Sequence, residues 1–366
     1  MDLSGHLEHV AEIARRGPLV NANLCWECFQ PPLYYFFSSM VLGFSENLPP
    51  ASSTFLQGLS LLYHIASAPL IAESLRPFAS TRKDLLIYTS LTLLWPGAIL
   101  ASVRVGNDSA LYLVSFLILF CISRKKWELA ALFAAIGLFV KKNAVVLVAV
   151  LGVFGFCFLI RRRMSFSRPV LILFILLLGL IGSASLDRIK SFDPKRMEVL
   201  ANQLKVSNEV SHLFVPEPGA FLREPFLNPW SKGPNLDHLP NYFWKSSLFG
   251  EWSFEFPASD KLAIVISGIL LVLLAISGIA WLKTPSALPF LLILNSFGAI
   301  ASYRFLYPFS CNGDFRFVYP YVVFGIALTL AQAKGSLLRR LARWVSLFFL
   351  LVFQVFLLFF WIGEIG

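Results

Sequence analysis

The sequence predicts an all-α, polytopic integral membrane protein, and the composition of the whole chain carries this prediction. Of 366 residues, 57% are hydrophobic and only 14% are charged, whereas about 25% of the residues of an average soluble domain are charged. The mean hydropathy is +0.70. A soluble core cannot hide this much apolar surface, so the bilayer must act as the solvent. The formal net charge of +10 does not indicate nucleic acid binding, because the basic residues stand in short clusters between apolar runs.

Continuous Leu- and Phe-rich runs predict about ten transmembrane helices. Several runs are shorter than the about 20 residues that an isolated span needs, so neighbouring helices or a thinned bilayer must help them. The runs lack the alternation of apolar and polar residues that barrel strands require. The predicted spans are 54–75, 84–103, 108–123, 127–140, 143–160, 168–185, 260–282, 286–303, 317–334 and 342–362.

Clusters of Lys and Arg in alternate connections predict the orientation of the helices. The positive-inside rule places these connections in the cytoplasm. The extracytoplasmic side then holds residues 1–53, the turn 104–108, the pair Lys141-Lys142, the loop 186–259 and residues 304–316. The basic clusters of the cytoplasmic connections are Arg76, Arg82 and Lys83; Arg124, Lys125 and Lys126; Arg161, Arg162, Arg163 and Arg168; Lys283; and Lys334, Arg339, Arg340 and Arg343.

This organisation divides the chain into four consecutive regions. An extracytoplasmic first loop with juxtamembrane helices covers residues 1–53, and transmembrane helices cover 54–185. Residues 186–259 form one large extracytoplasmic loop, and its many Pro, Trp and Phe residues favour a packed cap on the membrane surface. The C-terminal transmembrane helices cover 260–366.

The first loop should contain two helices that lie at the membrane surface. Residues 2–16 predict an amphipathic helix that Gly17-Pro18 ends. Residues 33–44 are apolar but too few to span the bilayer, which favours an interfacial helix. This polar region should lie outside although no span precedes it, so we expect a first transmembrane helix to be missing ahead of Met1. The residues that share one face of the first helix are Asp2, His6, His9 and Ile13.

Five motifs follow one another along the chain, and in this order they resemble those of a known family. The first is an acidic residue four positions before a histidine, followed by a Gly-Pro break and Gln30-Pro-Pro-Leu-Tyr-Tyr35. The others are Gly106-Asn-Asp-Ser109, the Lys-ended stretch 137–142, the aromatic stretch 243–252, and Asp314-Phe-Arg-Phe-Val-Tyr-Pro320. Together they resemble the GT-C membrane glycosyltransferases, in particular the protein O-mannosyltransferase and aminoarabinose-transferase branch.

The resemblance implies transfer of a sugar from a polyprenyl-phosphate carrier to a lipid, glycan or protein acceptor. The reaction would take place at the extracytoplasmic face, in the plasma (inner) membrane of a bacterium. The expected partners are the lipid-linked donor, an acceptor of unknown identity and the bilayer, without nucleic acid. We expect inversion at the sugar, because one carboxylate that activates an acceptor needs no second nucleophile.

Two carboxylates and one histidine are the predicted centre of the reaction. Asp2 matches the family's acidic residue, and we predict that it is the general base or the ligand of a divalent cation such as Mg²⁺ or Mn²⁺. Asp108 is the second predicted catalytic residue, at the outer mouth between two spans. A helix N-cap is the alternative for both. His6 is predicted to orient Asp2 or to contact the phosphate, and the alternative is an interfacial surface histidine.

Four cations on the predicted outer side are candidates for contact with the carrier phosphate: Lys141, Lys142, Arg304 and Arg316. Snorkelling to the interface is the alternative for the two lysines. Arg316 is predicted to open a helix on the outer side, where the macrodipole disfavours a cation unless a bound phosphate offsets it. A salt bridge to Asp314 is the alternative.

Three other possibilities follow from the sequence. Cys25 and Cys28 form a CxxC pair that can close a disulfide in an oxidising compartment, and a zinc site shared with His6 and His9 is a weaker alternative. A lipid-linked sugar transporter or flippase should show half-chain symmetry and broken helices at mid-membrane, and the sequence shows neither. A non-catalytic membrane subunit would tolerate the loss of Asp2.

Overall fold

The computed structural model describes residues 2–44, 51–160, 167–191, 204–256 and 258–365. Regular structure in these ranges is helical, apart from one isolated antiparallel bridge between Lys205 and Phe309. The predicted all-α class is therefore confirmed for this part of the chain. The side chain of Asp2 and the predicted cytoplasmic cluster Arg161, Arg162 and Arg163 lie outside the described part.

The helices follow the apolar runs of the sequence. Those of the first half are α1 (Asp2–Arg16), α2 (Leu33–Val41), α3 (Ser52–Leu75), α4 (Arg82–Leu93), α5 (Pro96–Ser102), α6 (Asp108–Ser123), α7 (Trp127–Val140), α8 (Val145–Ile160) and α9 (Ser167–Ile189). Those of the second half are α10 (Val210–Phe214), α11 (Pro218–Arg223), α12 (Pro234–Asp237), α13 (Leu239–Phe249), α14 (Ser259–Lys283), α15 (Ala287–Leu306), α16 (Tyr319–Ala331) and α17 (Ser336–Ile365).

Several of these helices are suited to a membrane. By length and composition, six helices of the described chain are able to cross one: α3, α8 with the turn before it, α9, α14, α15 and α17. Helices α4 and α5 pass the same test as one span bent by 56°. Helices α6, α7 and α16 are apolar but shorter. The chain is thus an integral membrane protein, and each of the ten predicted runs folds as helix.

The chain divides into two compact units. The first unit contains Met1–Ser74 and Ala101–Ala201, and the second contains Leu75–Leu100 and Asn202–Gly366. Each unit therefore combines segments that are distant in the sequence.

Helices α1 and α2 form the polar end of the first unit. Helix α1 is amphipathic as predicted, because His6, His9 and Ile13 are buried on one face. It ends at Arg16, and the next residue, Gly17, has a φ of 83°, in the left-handed region that favours glycine. Helix α2 ends at Val41, three residues earlier than predicted. The buried apolar side chains around these helices are Val10, Ile13, Val20, Cys25, Cys28, Tyr34, Tyr35, Leu56 and Val105.

Helices α6, α7, α8 and α9 pack side by side in the same unit. A small-residue contact brings α7 and α9 close together, because a Cβ atom at Gly179 would lie 2.9 Å from the Cα atom of Ala135. Without a hydrophobic driving force between helices in lipid, such close backbone approach is a main source of association.

In the second unit, the short helix α16 is surrounded by protein. All of its residues, from Tyr319 to Ala331, are buried, and it packs against α4, α14 and α15. Its neighbour α4 carries Asp84, which forms a bidentate ion pair with Arg343 of α17. The Nη2–Oδ2 distance of that pair is 2.9 Å.

The aromatic-rich segment before α14 is a set of short helices. Helix α9 extends to Ile189, past the predicted loop boundary at residue 186. From residue 204 onwards, α12 and α13 contribute Leu236 and Tyr242 to a small core that also contains Val206 and Leu227. This packing agrees with the aromatic density of the sequence.

Candidate functional site

An ion pair between Asp108 and Lys141 lies at the centre of the polar end of the first unit. Asp108 is the first residue of α6, and Lys141 directly follows α7. The Nζ atom of Lys141 contacts the Oδ1 atom of Asp108, and the two side chains are only 7% and 14% exposed. Lys141 is thus buried in an ion pair, so the snorkelling alternative is wrong for it. The N-cap of α6 is Asn107 rather than Asp108.

A second ion pair joins the lysine next to it to α9. The Nζ atom of Lys142 lies 2.6 Å from the Oδ1 atom of Asp187, and both side chains are partly exposed. Asp187 was not predicted, because it follows Lys142 by 45 positions and falls at the start of a segment assigned to a loop.

Asn107 connects three parts of the chain beside these ion pairs. Its Nδ2 atom donates to the carbonyl oxygen of Val140 at 3.0 Å and to Oε1 of Gln30 at 3.3 Å. The start of α6, the end of α7 and the segment before α2 are therefore held together by one amide. Gln30 belongs to the Gln-Pro-Pro motif of the sequence.

Lys190 is a third lysine at this end of the unit, and it was not among the residues predicted from the sequence. Its side chain is almost completely buried, and its Nζ atom donates to the carbonyl oxygen of Gln30 at 2.6 Å. Burial and the nearby charge of Lys142 lower the pKa of Lys190 to about 8, while Asp187 acts in the opposite direction. Lys190 falls within the predicted loop 186–259, and it was not singled out because the charges of long loops carry little weight in the orientation rule.

Two histidines and a tyrosine adjoin the lysines. The Nδ1 atom of His6 lies 2.7 Å from the hydroxyl of Tyr35. A Cβ atom at Gly106 would lie 3.2 Å from Nε2 of His6, so the glycine leaves room for the ring. His6 is 9% exposed, which shows that the surface-histidine alternative is wrong.

His9 is buried completely on the same face of α1. Its ring centroid lies 3.9 Å from that of Tyr35, and neither ring nitrogen has a hydrogen-bond partner of good geometry. Burial, followed by the charges of Lys190 and His6, lowers the pKa of His9 well below its ordinary value, and the backbone of Glu27 acts only weakly against them.

The CxxC pair forms a disulfide. Cys25 and Cys28 are bonded to each other, which takes both thiols out of metal ligation. In the described part of the chain, no three His, Cys, Asp or Glu side chains group together as metal ligands. The predicted divalent cation depends on the side chain of Asp2, which is outside that part.

Two predicted cations belong to the second unit. Arg304 is completely buried, and its guanidinium donates to the carbonyl oxygens of Leu236 and Asp237 at the end of α12. It therefore supports a backbone turn where we predicted a phosphate contact.

Arg316 forms the salt bridge that the sequence suggested as its alternative. Its Nε atom lies 3.0 Å from Oδ2 of Asp314. The prediction that Arg316 opens a helix is wrong for α16, because Arg316 lies in the 3-10 turn Phe315–Phe317 and α16 begins at Tyr319.

The fold and the first unit define an integral membrane protein with a buried ionisable cluster at the ends of its apolar helices. No family model matches the chain, and neither a curated protein nor a solved structure matches it. Its function must therefore be argued from its residues.

Proposed function

We propose that this protein is a glycosyltransferase that moves a sugar from a polyprenyl-phosphate carrier to an acceptor at the extracytoplasmic membrane face. The observation that carries the proposal is the cluster of Lys141, Lys142 and Lys190 with Asp108 and Asp187 at one end of the first unit. Ionisable groups inside a membrane protein are expensive, and they generally mark functional sites.

The charge of the cluster suits a phosphate. Three lysines face two carboxylates, so the cluster has one positive charge in excess when both carboxylates are ionised and the histidines are neutral. A sugar-loaded carrier is a phosphodiester with one negative charge, and its apolar tail stays in lipid. When the sugar departs, negative charge grows on the phosphate, and fixed cations stabilise such a leaving group.

The positions of the ion pairs support the proposed orientation. The cluster lies at the start of α6 and at the ends of α7 and α9, which the charge rule assigns to the outer side. The opposite ends of the same helices carry other pairs, Arg124 with Glu73 and Arg168 with Glu128. About ten spans, a bacterial plasma membrane and an extracytoplasmic site are further parts of the proposal.

Asp2 is the proposed general base, and Asp108 assists it. The carboxylate of Asp108 is held in the ion pair with Lys141, so its proposed role is to orient the acceptor rather than to deprotonate it. The base takes the proton of the acceptor hydroxyl, and the acceptor oxygen forms a bond to the anomeric carbon. The bond from that carbon to the phosphate oxygen breaks, and its electron pair stays on the phosphate. The products are an inverted glycoside and the free polyprenyl phosphate.

Transfer assays with defined donors test the proposal. The purified protein in liposomes receives a panel of polyprenyl-phosphate sugars with a membrane extract as the acceptor source. We expect one donor to be consumed, with Asp2→Asn and Asp108→Asn each at least about 100-fold slower. Asp260→Asn is the matched control, because Asp260 is an exposed carboxylate in the first turn of α14.

Three outcomes would contradict the proposal or part of it. Full transfer in both variants would exclude the assigned carboxylates. A product with retained anomeric configuration would contradict direct displacement. Movement of the intact donor between leaflets without cleavage would favour the transporter class.

A further inference from the structure

The three lysines of the cluster differ in how their charges are balanced. Lys141 contacts the carboxylate of Asp108, and Lys142 contacts that of Asp187. Lys190 contacts the carbonyl oxygen of Gln30, and no carboxylate of the described residues forms an ion pair with it. Once the pairs are formed, Lys190 carries the positive charge that remains.

Lys190 is buried, so a positive charge without an ion-pair partner at this position is unusual. Its side chain is 1% exposed, and buried charges in proteins are normally paired or bound to a ligand. An ammonium group has three donors, and the carbonyl of Gln30 takes one of them. Two donors are thus available to a ligand.

His9 adds a second buried basic group that is poorly hydrogen-bonded. It is completely buried, and neither ring nitrogen makes a hydrogen bond of good geometry, although the backbone of Glu27 lies beside the ring. Burial, followed by the positive charges of Lys190 and of protonated His6, lowers the pKa of the His9 ring. A buried imidazole normally has at least one partner, and an anion beside Lys190 would supply it.

The surrounding groups favour entry from one side. Gln30, whose carbonyl holds the ammonium, is only half-buried, and so are Lys142 and Asp187. The Lys190 side chain has a flexible four-carbon stem, so its ammonium is able to turn from the Gln30 carbonyl towards a ligand. The disulfide between Cys25 and Cys28 fixes the chain directly before Gln30.

We propose that Lys190 and His9 form a buried oxyanion site that takes a phosphate group. Lys190 donates two hydrogen bonds to the phosphate oxygens, and the ring N–H of neutral His9 donates a third. This site rests on the proposed function for the identity of the lipid carrier. Within that function, the principal ligand of the phosphate is Lys190 rather than the ion-paired Lys141 and Lys142. The same chemistry accepts a free phosphate ion.

Binding measurements on the full chain in detergent micelles test this site without any sugar transfer. The probes are polyprenyl phosphate, inorganic phosphate and a polyprenol of the same length. We expect polyprenyl phosphate to bind, with at least a tenfold loss of affinity in Lys190→Gln and in His9→Gln. Lys126→Gln is the control for a lysine, because Lys126 is exposed at the other end of α6 and α7. The melting temperature of each variant shows that it is folded.

Each outcome has a defined meaning. If inorganic phosphate displaces the lipid, the site is supported and also accepts a free phosphate ion. If polyprenyl phosphate binds tightly and inorganic phosphate does not displace it, the site is supported for the lipid headgroup alone. Equal affinity for polyprenol and polyprenyl phosphate overturns the inference, and so does unchanged affinity in folded Lys190→Gln and His9→Gln. Phosphate binding that depends on Lys190, with no donor ever cleaved, upholds this site and refutes the proposed function.

Discussion

Lys141 contacts Asp108 across 33 residues of sequence, and the contact closes one end of the hairpin of α6 and α7. The turn at 124–126 joins the two helices at the other end. A single ion pair therefore connects the entry to α6 with the exit from α7, and Asn107 strengthens the junction through the carbonyl oxygen of Val140. The geometry of the proposed catalytic carboxylate depends on this junction.

Removal of Lys141 should destabilise the first unit. In Lys141→Met the carboxylate of Asp108 stays buried without a counter-ion, and loss of one partner of a buried pair costs about 3 kcal/mol or more. We expect a lower melting temperature for the protein in detergent. The double variant Asp108→Asn with Lys141→Met should recover much of the loss. If the double variant loses as much stability as Asp108→Asn and Lys141→Met lose together, the ion pair contributes little.

The close approach of α7 and α9 should not tolerate a methyl group. A Cβ atom at Gly179 would lie 2.7 Å from the Cβ atom of Ala135 and 2.9 Å from its Cα atom, which is backbone and cannot swing aside. We expect Gly179→Ala to cost about 1–3 kcal/mol of stability, measured as thermal unfolding.

Gly152 offers a matched control for that variant. It lies inside α8, and a Cβ atom there meets nothing within 4 Å. Gly152→Ala should be neutral or should stabilise by up to about 1 kcal/mol, because alanine is the better helix former. Equal losses at both glycines would contradict the packing of α7 on α9.

Acid should weaken the fold through His9. The pKa of His9 is depressed in the folded protein by burial and by the charges of Lys190 and His6, with the backbone of Glu27 acting weakly against them. The unfolded chain therefore takes up a proton near pH 6.5 that the folded chain still refuses. Stability is fully present above that pH and falls as the pH drops from about 6.5 towards the folded pKa.

The melting temperature between pH 7.5 and pH 5 measures this effect. His9→Phe should show a flatter profile than the wild type, since it removes the group that binds the proton. An unchanged slope in His9→Phe would refute the assignment.

Lys190 should show a conflict between stability and function. Its charge is buried without an ion-pair partner in the described chain, so Lys190→Met should melt at a higher temperature than the wild type in the absence of phosphate. The wild type should gain stability when polyprenyl phosphate is added, and the variant should not. A variant that melts lower than the wild type and is still stabilised by polyprenyl phosphate would contradict the role of Lys190.

The sequence was sufficient to predict the helices because the bilayer imposes a simple rule on them. Apolar runs such as 143–160 and 260–282 became α8 and α14 with boundaries shifted by a few residues. The spacing of His6, His9 and Ile13 likewise predicted the buried face of α1. These features depend on neighbours along the chain, which a sequence displays directly.

The partners of the charged groups could not be predicted in the same way. Asp187 and Lys190 lie more than 40 residues from Lys142 in sequence, and they come together only because α9 returns to the end of α7. Arg304 was predicted to contact the carrier phosphate, but its guanidinium binds carbonyl oxygens of α12, in the segment that precedes α14. Pairing of charges across a fold depends on packing, which no local pattern encodes.

Cleavage of the lipid-linked donor tests the central claim most directly, since it does not require the acceptor to be known in advance. Liposomes with the protein, a labelled polyprenyl-phosphate sugar and membrane extract are followed for release of free polyprenyl phosphate. The account predicts release by the wild type and by Asp260→Asn, and a loss of at least about 100-fold when Asp2 and Asp108 are both replaced by Asn. Release at the wild-type rate from that folded double variant, or no release from any donor of the panel, would contradict it.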